Sequence, residues 1–210
     1  MSWYDWFASI YDNSIEAAYR EYRAPVAEAL APASGSLLLD VPCGTGQAFP
    51  ELVKRLGDDG TLVGVDQSEG MLKKAGMRVD KAGWQGVHLV RASADAIPRE
   101  AFGSRAEAPT PVDALHVFLG MSVFSDMEET FGRLWSLLRP GGRCVLVDVH
   151  AERLGLQGFM VNRIARAEIR RRFWEPLERS AEGFELRDLP FQRQHGGQIM
   201  LAVGTKPQNP

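Results

Sequence analysis

The chain is poor in cysteine, in excess positive charge and in long apolar runs, and each shortage removes a class of function. Its two cysteines, Cys43 and Cys144, form no CxxC pair and share no metal-ligand spacing with a histidine. Neither a disulfide framework nor a metal site is therefore expected. The net charge of −3 offers no general attraction to nucleic acid or to an anionic membrane surface. No apolar run reaches the roughly 18 residues that a spanning helix needs. The stretch before Ser14 carries Asp5 and no Lys or Arg ahead of an apolar segment, unlike a secretory leader. The expectation is a soluble, cytoplasmic protein without metal, nucleic-acid partner or integral membrane association. Its oligomeric state is left open.

What remains is an ordinary globular composition, 45% hydrophobic and 24% charged over 210 residues. That length suits one domain with a sizeable core over 1–210. Short apolar runs at Ser36–Val41, Thr61–Asp66, Val87–Val90, Ala114–Leu119 and Arg143–Val149 read as strands. Helical spacing separates most of them, at Ala48–Leu56, Ser68–Ala82 and Asp126–Leu138. Regular alternation of this kind predicts a parallel sheet covered by helices on both faces. Asn13 and Glu16 can form a capping box for a helix over Ser14–Arg23, and Ser68 suits an N-cap. Leu138-Arg139-Pro140-Gly141-Gly142 should end a helix and turn into a strand. Pro98–Pro111 reads as a surface loop. Phe184–Phe191 and Gln198–Thr205 read as strands joined through Gln194-His195-Gly196-Gly197, adding a last antiparallel strand.

The most informative stretch is Leu37-Leu38-Leu39-Asp40-Val41-Pro42-Cys43-Gly44-Thr45-Gly46, an apolar strand running into a glycine loop before a helix. Glycines there let backbone N–H groups approach a ligand where a side chain would clash. Asp66 follows 20 residues after Gly46, at the end of the next strand. A carboxylate at that place can accept from adjacent ribose hydroxyls. These features bind an adenosine-containing cofactor without saying which. A GxGxxG pattern begun at Gly44 would put its third glycine at Phe49, and Asp40 adds an acid that nicotinamide folds do not require. Both points favour S-adenosylmethionine, which has no pyrophosphate to seat.

The chain resembles the class I S-adenosylmethionine-dependent methyltransferases, in particular the ubiquinone/menaquinone-biosynthesis type of small-molecule enzymes. The resemblance is carried by Asp40–Gly46, by Val65-Asp66-Gln67-Ser68-Glu69-Gly70-Met71-Leu72, by Val112–Asp126 and by Leu134–Val149. It implies an α/β, Rossmann-like, doubly wound, seven-stranded and mostly parallel sheet, the last strand antiparallel. It also implies methyl transfer to a small-molecule acceptor at O, N, S or C. By the same resemblance, Gly44 and Gly46 lie against the methionine part of the cofactor, with Pro42 and Cys43 in the same loop and Asp40 near the amino group. Asp66 and Gln67 face the ribose and adenine, Met71 packs beside the adenine, and Ser93 and Ala94 meet its edge. A carbonyl around Val117–Phe118 meets the ammonium, and Tyr11 closes over the cofactor.

Three positions depart from the family pattern. Pro42 stands where glycine or alanine is usual, and it lacks an N–H and has a fixed φ. Gln67 replaces an apolar residue, and Ser93 replaces an aspartate for which Asp95 could stand in.

Methyl transfer needs an aligned acceptor and the exclusion of water, and a hydroxyl acceptor benefits from a base. Ligands of open parallel sheets lie at the carboxyl ends of the strands. His150, directly after the fifth strand, is the candidate base, set against a loop histidine that only hydrogen-bonds or faces solvent. His116 lies mid-strand and reads as a satisfied core histidine. Ser122 occupies the loop after the fourth strand, where family members often carry histidines. Trp3 and Tyr4 belong to an aromatic N-terminal segment, which with the rest of 1–30 could be a helical lid on the acceptor or simple packing. The region 151–180 is expected to be a helical insertion, its arginine-rich part, Arg163–Arg172, facing solvent or an anionic ligand. Two readings compete with a small-molecule enzyme: a regulatory or scaffold protein that binds the cofactor without chemistry, and a methyltransferase acting on a protein.

Overall fold

The computed structural model describes residues 19–152, 167–190 and 197–208. Seven strands form one sheet: β1 (Leu37–Asp40), β2 (Thr61–Asp66), β3 (Val87–Arg91), β4 (Val112–Phe118), β5 (Leu138–His150), β6 (Glu182–Asp188) and β7 (Gln198–Thr205). Their spatial order is β3-β2-β1-β4-β5-β7-β6. Pairs among β1 to β5 are parallel, and β7 runs antiparallel to both β5 and β6. The expected mostly parallel sheet with an antiparallel last strand is observed. Because the order reverses at β1, the crevice between the ends of β1 and β4 is the topological switch point, where such sheets bind ligands.

The helices are α1 (19–30), α2 (Phe49–Leu56), α3 (Glu69–Ala82), α4 (Met127–Leu137) and α5 (Glu175–Ser180). β1 shows why both faces of the sheet are covered. Leu38 points into one core with Phe49, Leu52, Leu56 and Ala75 of α2 and α3. Leu37 and Leu39 point into another with Phe131 and Leu134 of α4 and Leu177 of α5. A central strand buried on both faces needs apolar residues at every position, and Leu37-Leu38-Leu39 supplies them. Ser68 caps α3 by accepting from the Met71 N–H at 3.2 Å, as expected. Asp126 caps α4 by accepting from the Glu129 N–H at 2.9 Å.

Several boundaries differ from the sequence reading. α1 continues past Arg23 and through Pro25 to residue 30. The burial of Tyr22, Val26 and Leu30 at helical spacing outweighs the one backbone bond that proline removes. β5 begins at Leu138, because that residue already pairs with Val112 of β4, and a bulge follows. Gly141 and Gly142 exchange backbone bonds of 2.8 Å with Lys206, which draws the turn into the sheet. The loop at Pro98–Pro111 holds a short 3-10 helix, Arg99–Arg105, which seats Phe102 in the core. β6 starts at Glu182 rather than Phe184 and ends at Asp188; as an edge strand exposed along most of its length, it lacks the alternation that would have marked it. In the region expected to be a helical insertion, residues 167–174 form turns and extended chain, and α5 is its described helix. Trp3, Tyr4, Tyr11, the Asn13 cap, Arg163, Arg166 and the turn at Gln194–Gly196 lie outside the described residues. No helix among the described residues is long and apolar enough to cross a membrane.

Candidate cofactor and acceptor site

A cavity of about 360 Å³ opens at the switch point. Its size suits a small ligand. Its first wall is the chain leaving β1. Cys43 N–H donates to the Val65 carbonyl at 2.8 Å and Val41 N–H to the His116 carbonyl at 3.0 Å, so the loop is suspended between β2 and β4. Gly46 N–H then donates to the Cys43 carbonyl at 3.0 Å and closes the turn into α2. Gly46 has φ of 74°, and a Cβ there would stand 2.7 Å from the Phe49 ring, so only glycine fits. Gly46 is thus behind the wall, whereas Pro42, Cys43, Gly44 and Thr45 face the cavity.

Asp66 ends β2 and is nearly buried. Its Oδ2 accepts from Gly44 N–H at 2.9 Å and its Oδ1 from Ser68 N–H at 2.8 Å. Burial raises its pKa, and these two donors pull it back. A carboxylate has about four acceptor sites, so room remains for ligand hydroxyls. Asp40, 1% exposed, faces His116 at 2.7 Å between its Oδ1 and the imidazole Nδ1. The mid-strand histidine is therefore the partner of the motif acid. Asp40 Oδ2 is buried in the same wall and meets no donor among the described residues.

Gln67 and Met71 from the start of α3, Ser93 and Ala94 after β3, and Phe118 at the end of β4 also line the cavity. A Ser93 hydrogen bond lowers the Asp95 carboxyl pKa. Leu119 follows with φ of 55°, a left-handed conformation that costs about 1–2 kcal/mol in a non-glycine residue. It turns the chain over the cavity mouth. Gly120 then passes so close to Pro42 that a Cβ would lie within 2.4 Å of the proline Cδ. Tyr19 and Arg23 bring α1 to the opposite wall, and Arg23 donates to Gln47 Oε1.

The far wall comes from β5 and from the strap at 167–171. Ala151 N–H donates to the Ile169 carbonyl at 2.9 Å, and Glu168 N–H to the Ser122 carbonyl at 2.8 Å. Arg171 donates from Nη1 to the Phe124 carbonyl at 2.7 Å. Ala167 and Ile169 are thereby set into the wall beside Val123 and Val149. His150 is outside this wall. Its Nδ1 lies 3.1 Å from the Arg171 carbonyl and its ring meets Trp174 edge-on at 4.9 Å. The geometry makes it a clamp on the strap. Burial, reinforced by Asp40 and Asp66, raises the Cys43 thiol pKa well above its ordinary value and so disfavours its thiolate.

Arg23 and Asp148 are wall residues that the sequence reading did not single out. Arg23 looks like any exposed helical arginine, and Asp148 is one acid inside an apolar run. Among the described wall residues, Arg23 is the one cation, in a cavity also lined by Asp40, Asp66, Asp95, Asp126, Glu129 and Asp148. No cluster of metal-binding side chains occurs among the described residues.

The chain is similar to several known proteins. The demethylmenaquinone methyltransferase of Lactococcus lactis is 25% identical over 213 residues, covering 90% of this chain and 81% of that enzyme. Nocamycin O-methyltransferase of Saccharothrix syringae is 30% identical over 140 residues, covering 67% of this chain but 47% of that enzyme. Among solved structures, a SAM-dependent methyltransferase from Aquifex aeolicus superposes with a TM-score of 0.65 at 17% identity, covering 96% of this chain and 98% of the other. A geranyl diphosphate methyltransferase complexed with its substrate and sinefungin gives 0.73 at 18% identity, covering 89% and 77%. These two likenesses concern the fold. The model of the ubiE/COQ5 methyltransferase family matches residues 2–159. The chain belongs to that family, and with it to the class I S-adenosylmethionine-dependent methyltransferases.

Proposed function

We propose that the protein, as one catalytic unit over 1–210 acting in the cytoplasm, methylates a small molecule rather than nucleic acid. The observation that carries this reading is the charge layout of the cavity. The cofactor bears an ammonium and a sulfonium on one arm and a carboxylate beside the ammonium. The wall offers Asp40 Oδ2, which meets no donor among the described residues, to an ammonium, and the positive charge of Arg23, whose guanidinium also donates to Gln47, to a carboxylate. The remaining acceptor capacity of Asp66 suits the ribose hydroxyls, and Met71 with Ser93 and Ala94 suits the adenine. The residues present therefore fit the group.

When bound, S-adenosylmethionine supplies a methyl group on a sulfonium, which an acceptor lone pair must approach in line. The chain's own contribution is placement and dryness. Phe118, Val123, Val149 and Ile169 give the acceptor side an apolar surface that excludes water. Trp3, Tyr4 and Tyr11 are proposed to complete the cover, and His150 to hold the strap rather than to act as base.

Calorimetric titration tests the reading. S-adenosylmethionine and S-adenosylhomocysteine should bind, and nicotinamide adenine dinucleotide should not. Arg23→Met should weaken both sulfur nucleosides on the order of ten-fold while leaving 5′-methylthioadenosine, which has no carboxylate, unchanged. Failure of both sulfur nucleosides to bind would overturn the proposal.

A further inference from the structure

Asp148 is 1% exposed, yet it lies in the cavity wall near the end of β5. Its Oδ2 accepts from Ser122 N–H at 2.8 Å, and its Oδ1 from Ser122 Oγ–H at 2.9 Å and from Val149 N–H at 2.8 Å. Ser122 is thus held twice by one carboxylate, and a third time through its carbonyl by Glu168 N–H. A serine hydroxyl has a single proton. Here that proton is committed to Asp148, so Oγ can meet a ligand only as an acceptor. The neighbouring wall is apolar, made by Val123, Val149, Ala167 and Ile169. An acceptor atom backed by a buried anion in an apolar wall selects a ligand that presents a hydrogen-bond donor.

Resting on the methyltransferase reading, we propose that Ser122, oriented by Asp148, accepts the O–H of a hydroxyl-bearing methyl acceptor and relays its proton. As the acceptor oxygen exchanges its proton for the methyl group, the sulfonium donor leaves as a neutral thioether. The released proton passes to Ser122 Oγ while the serine proton passes to Asp148 Oδ1, so the carboxylate ends neutral. Ser122 is the group that touches the acceptor, and Asp148 is a positioning residue and proton store.

Burial raises the Asp148 carboxyl pKa to about 6, against its hydrogen-bond donors. The relay therefore operates above that pH, and a store with such a pKa holds a proton better than an ordinary carboxylate. The charged and titratable groups that line the cavity with Asp148 are Asp40, Asp66 and Asp95, Asp126 and Glu129 at the start of α4, and Arg23 of α1. β7 sets Met200 opposite it.

The test uses the protein loaded with S-adenosylhomocysteine and two probes, 2-naphthol and 2-methoxynaphthalene, which differ in the O–H. At pH 7.5, 2-naphthol should bind on the order of ten-fold more tightly, the worth of one hydrogen bond to a charge-backed acceptor. Ser122→Ala should erase that preference and keep affinity for S-adenosylhomocysteine, and Ser122→Thr should restore it. At pH 5 the preference should shrink, although 2-naphthol itself stays protonated. Asp148→Asn should behave like Ser122→Ala, and Ser122→Ala alone decides the matter if Asp148→Asn fails to fold. Equal binding of the two probes to the wild type, a preference that survives Ser122→Ala, or no binding of either probe overturns the proposal. A wild type that does not take up S-adenosylhomocysteine instead overturns the methyltransferase reading beneath it.

Discussion

The two sides of the cavity are made of different materials. On the β1–β2 side, the wall is mostly main chain, folded tightly by Gly46 and fixed by the Asp66 carboxylate. On the β4–β5 side, it is made of groups that meet from distant parts of the chain, the side chains of Ser122 and Asp148 and the backbones of Ile169 and Ala151. The first side is a local device that one short stretch of sequence can encode. The second exists only once the strands and the strap have assembled. A constant ligand can be served by the first kind of wall, and a variable acceptor by the second, where a single substitution changes the surface without disturbing the sheet.

The largest effect is expected at the seam between the two sides, where Asp40 of β1 meets His116 of β4. His116→Leu leaves a buried carboxylate without its partner and should cost about 3–5 kcal/mol of stability, read from urea unfolding. A loss below about 1 kcal/mol would mean that the two walls stand independently.

The next effect concerns pH. The folded pKa of Asp148, about 6, lies above the ordinary carboxylate value of 3.8. Its contribution to stability is therefore fully present below the unfolded value and is lost as pH rises through about 6. The difference corresponds to roughly 3 kcal/mol. Asp148→Asn should flatten the urea midpoint between pH 4 and 6, and parallel profiles for variant and wild type would assign the drift to another group.

On the main-chain side, Asp66→Ala should weaken S-adenosylhomocysteine binding by about 1.5–3 kcal/mol for each hydrogen bond lost to the ribose. Calorimetry reads it, and unchanged affinity in a folded variant would remove Asp66 from the ribose. The smallest effect is Ser68→Ala, which deletes the α3 cap. About 1 kcal/mol is expected, seen as a fall of roughly 2–4 °C in Tm.

The same contrast governs what the sequence could reveal. β2 was legible to the residue, because a strand buried on one or both faces writes its apolar character into consecutive positions. The glycine loop, Asp66 and the Ser68 cap were legible because their function depends on local geometry. Arg23 was not, since nothing in its neighbours says which way α1 faces. Asp148 was hidden in a strand whose other residues are apolar, and its partner is 26 residues earlier in the chain. His150 attracted notice by its position after β5, but position along a strand does not say which face a side chain takes. The start of β5 at Leu138 was obscured by a Pro-Gly-Gly turn that only the bonds to Lys206 pull into the sheet.

The central place of β1 has a consequence for how the molecule comes into being. β1 leads directly into the glycine motif but finds its neighbours in β2 and in β4, and the pair that ties it to β4 joins residues 76 apart. Contacts so distant in sequence form late, after the loop between them has been closed. A nascent or clipped chain ending before Val112 would display every letter of the motif and hold no binding site. Uptake of the sulfur nucleoside thus reports completed folding, and ligand at a hundred times its Kd would hold the finished state by about 2.7 kcal/mol.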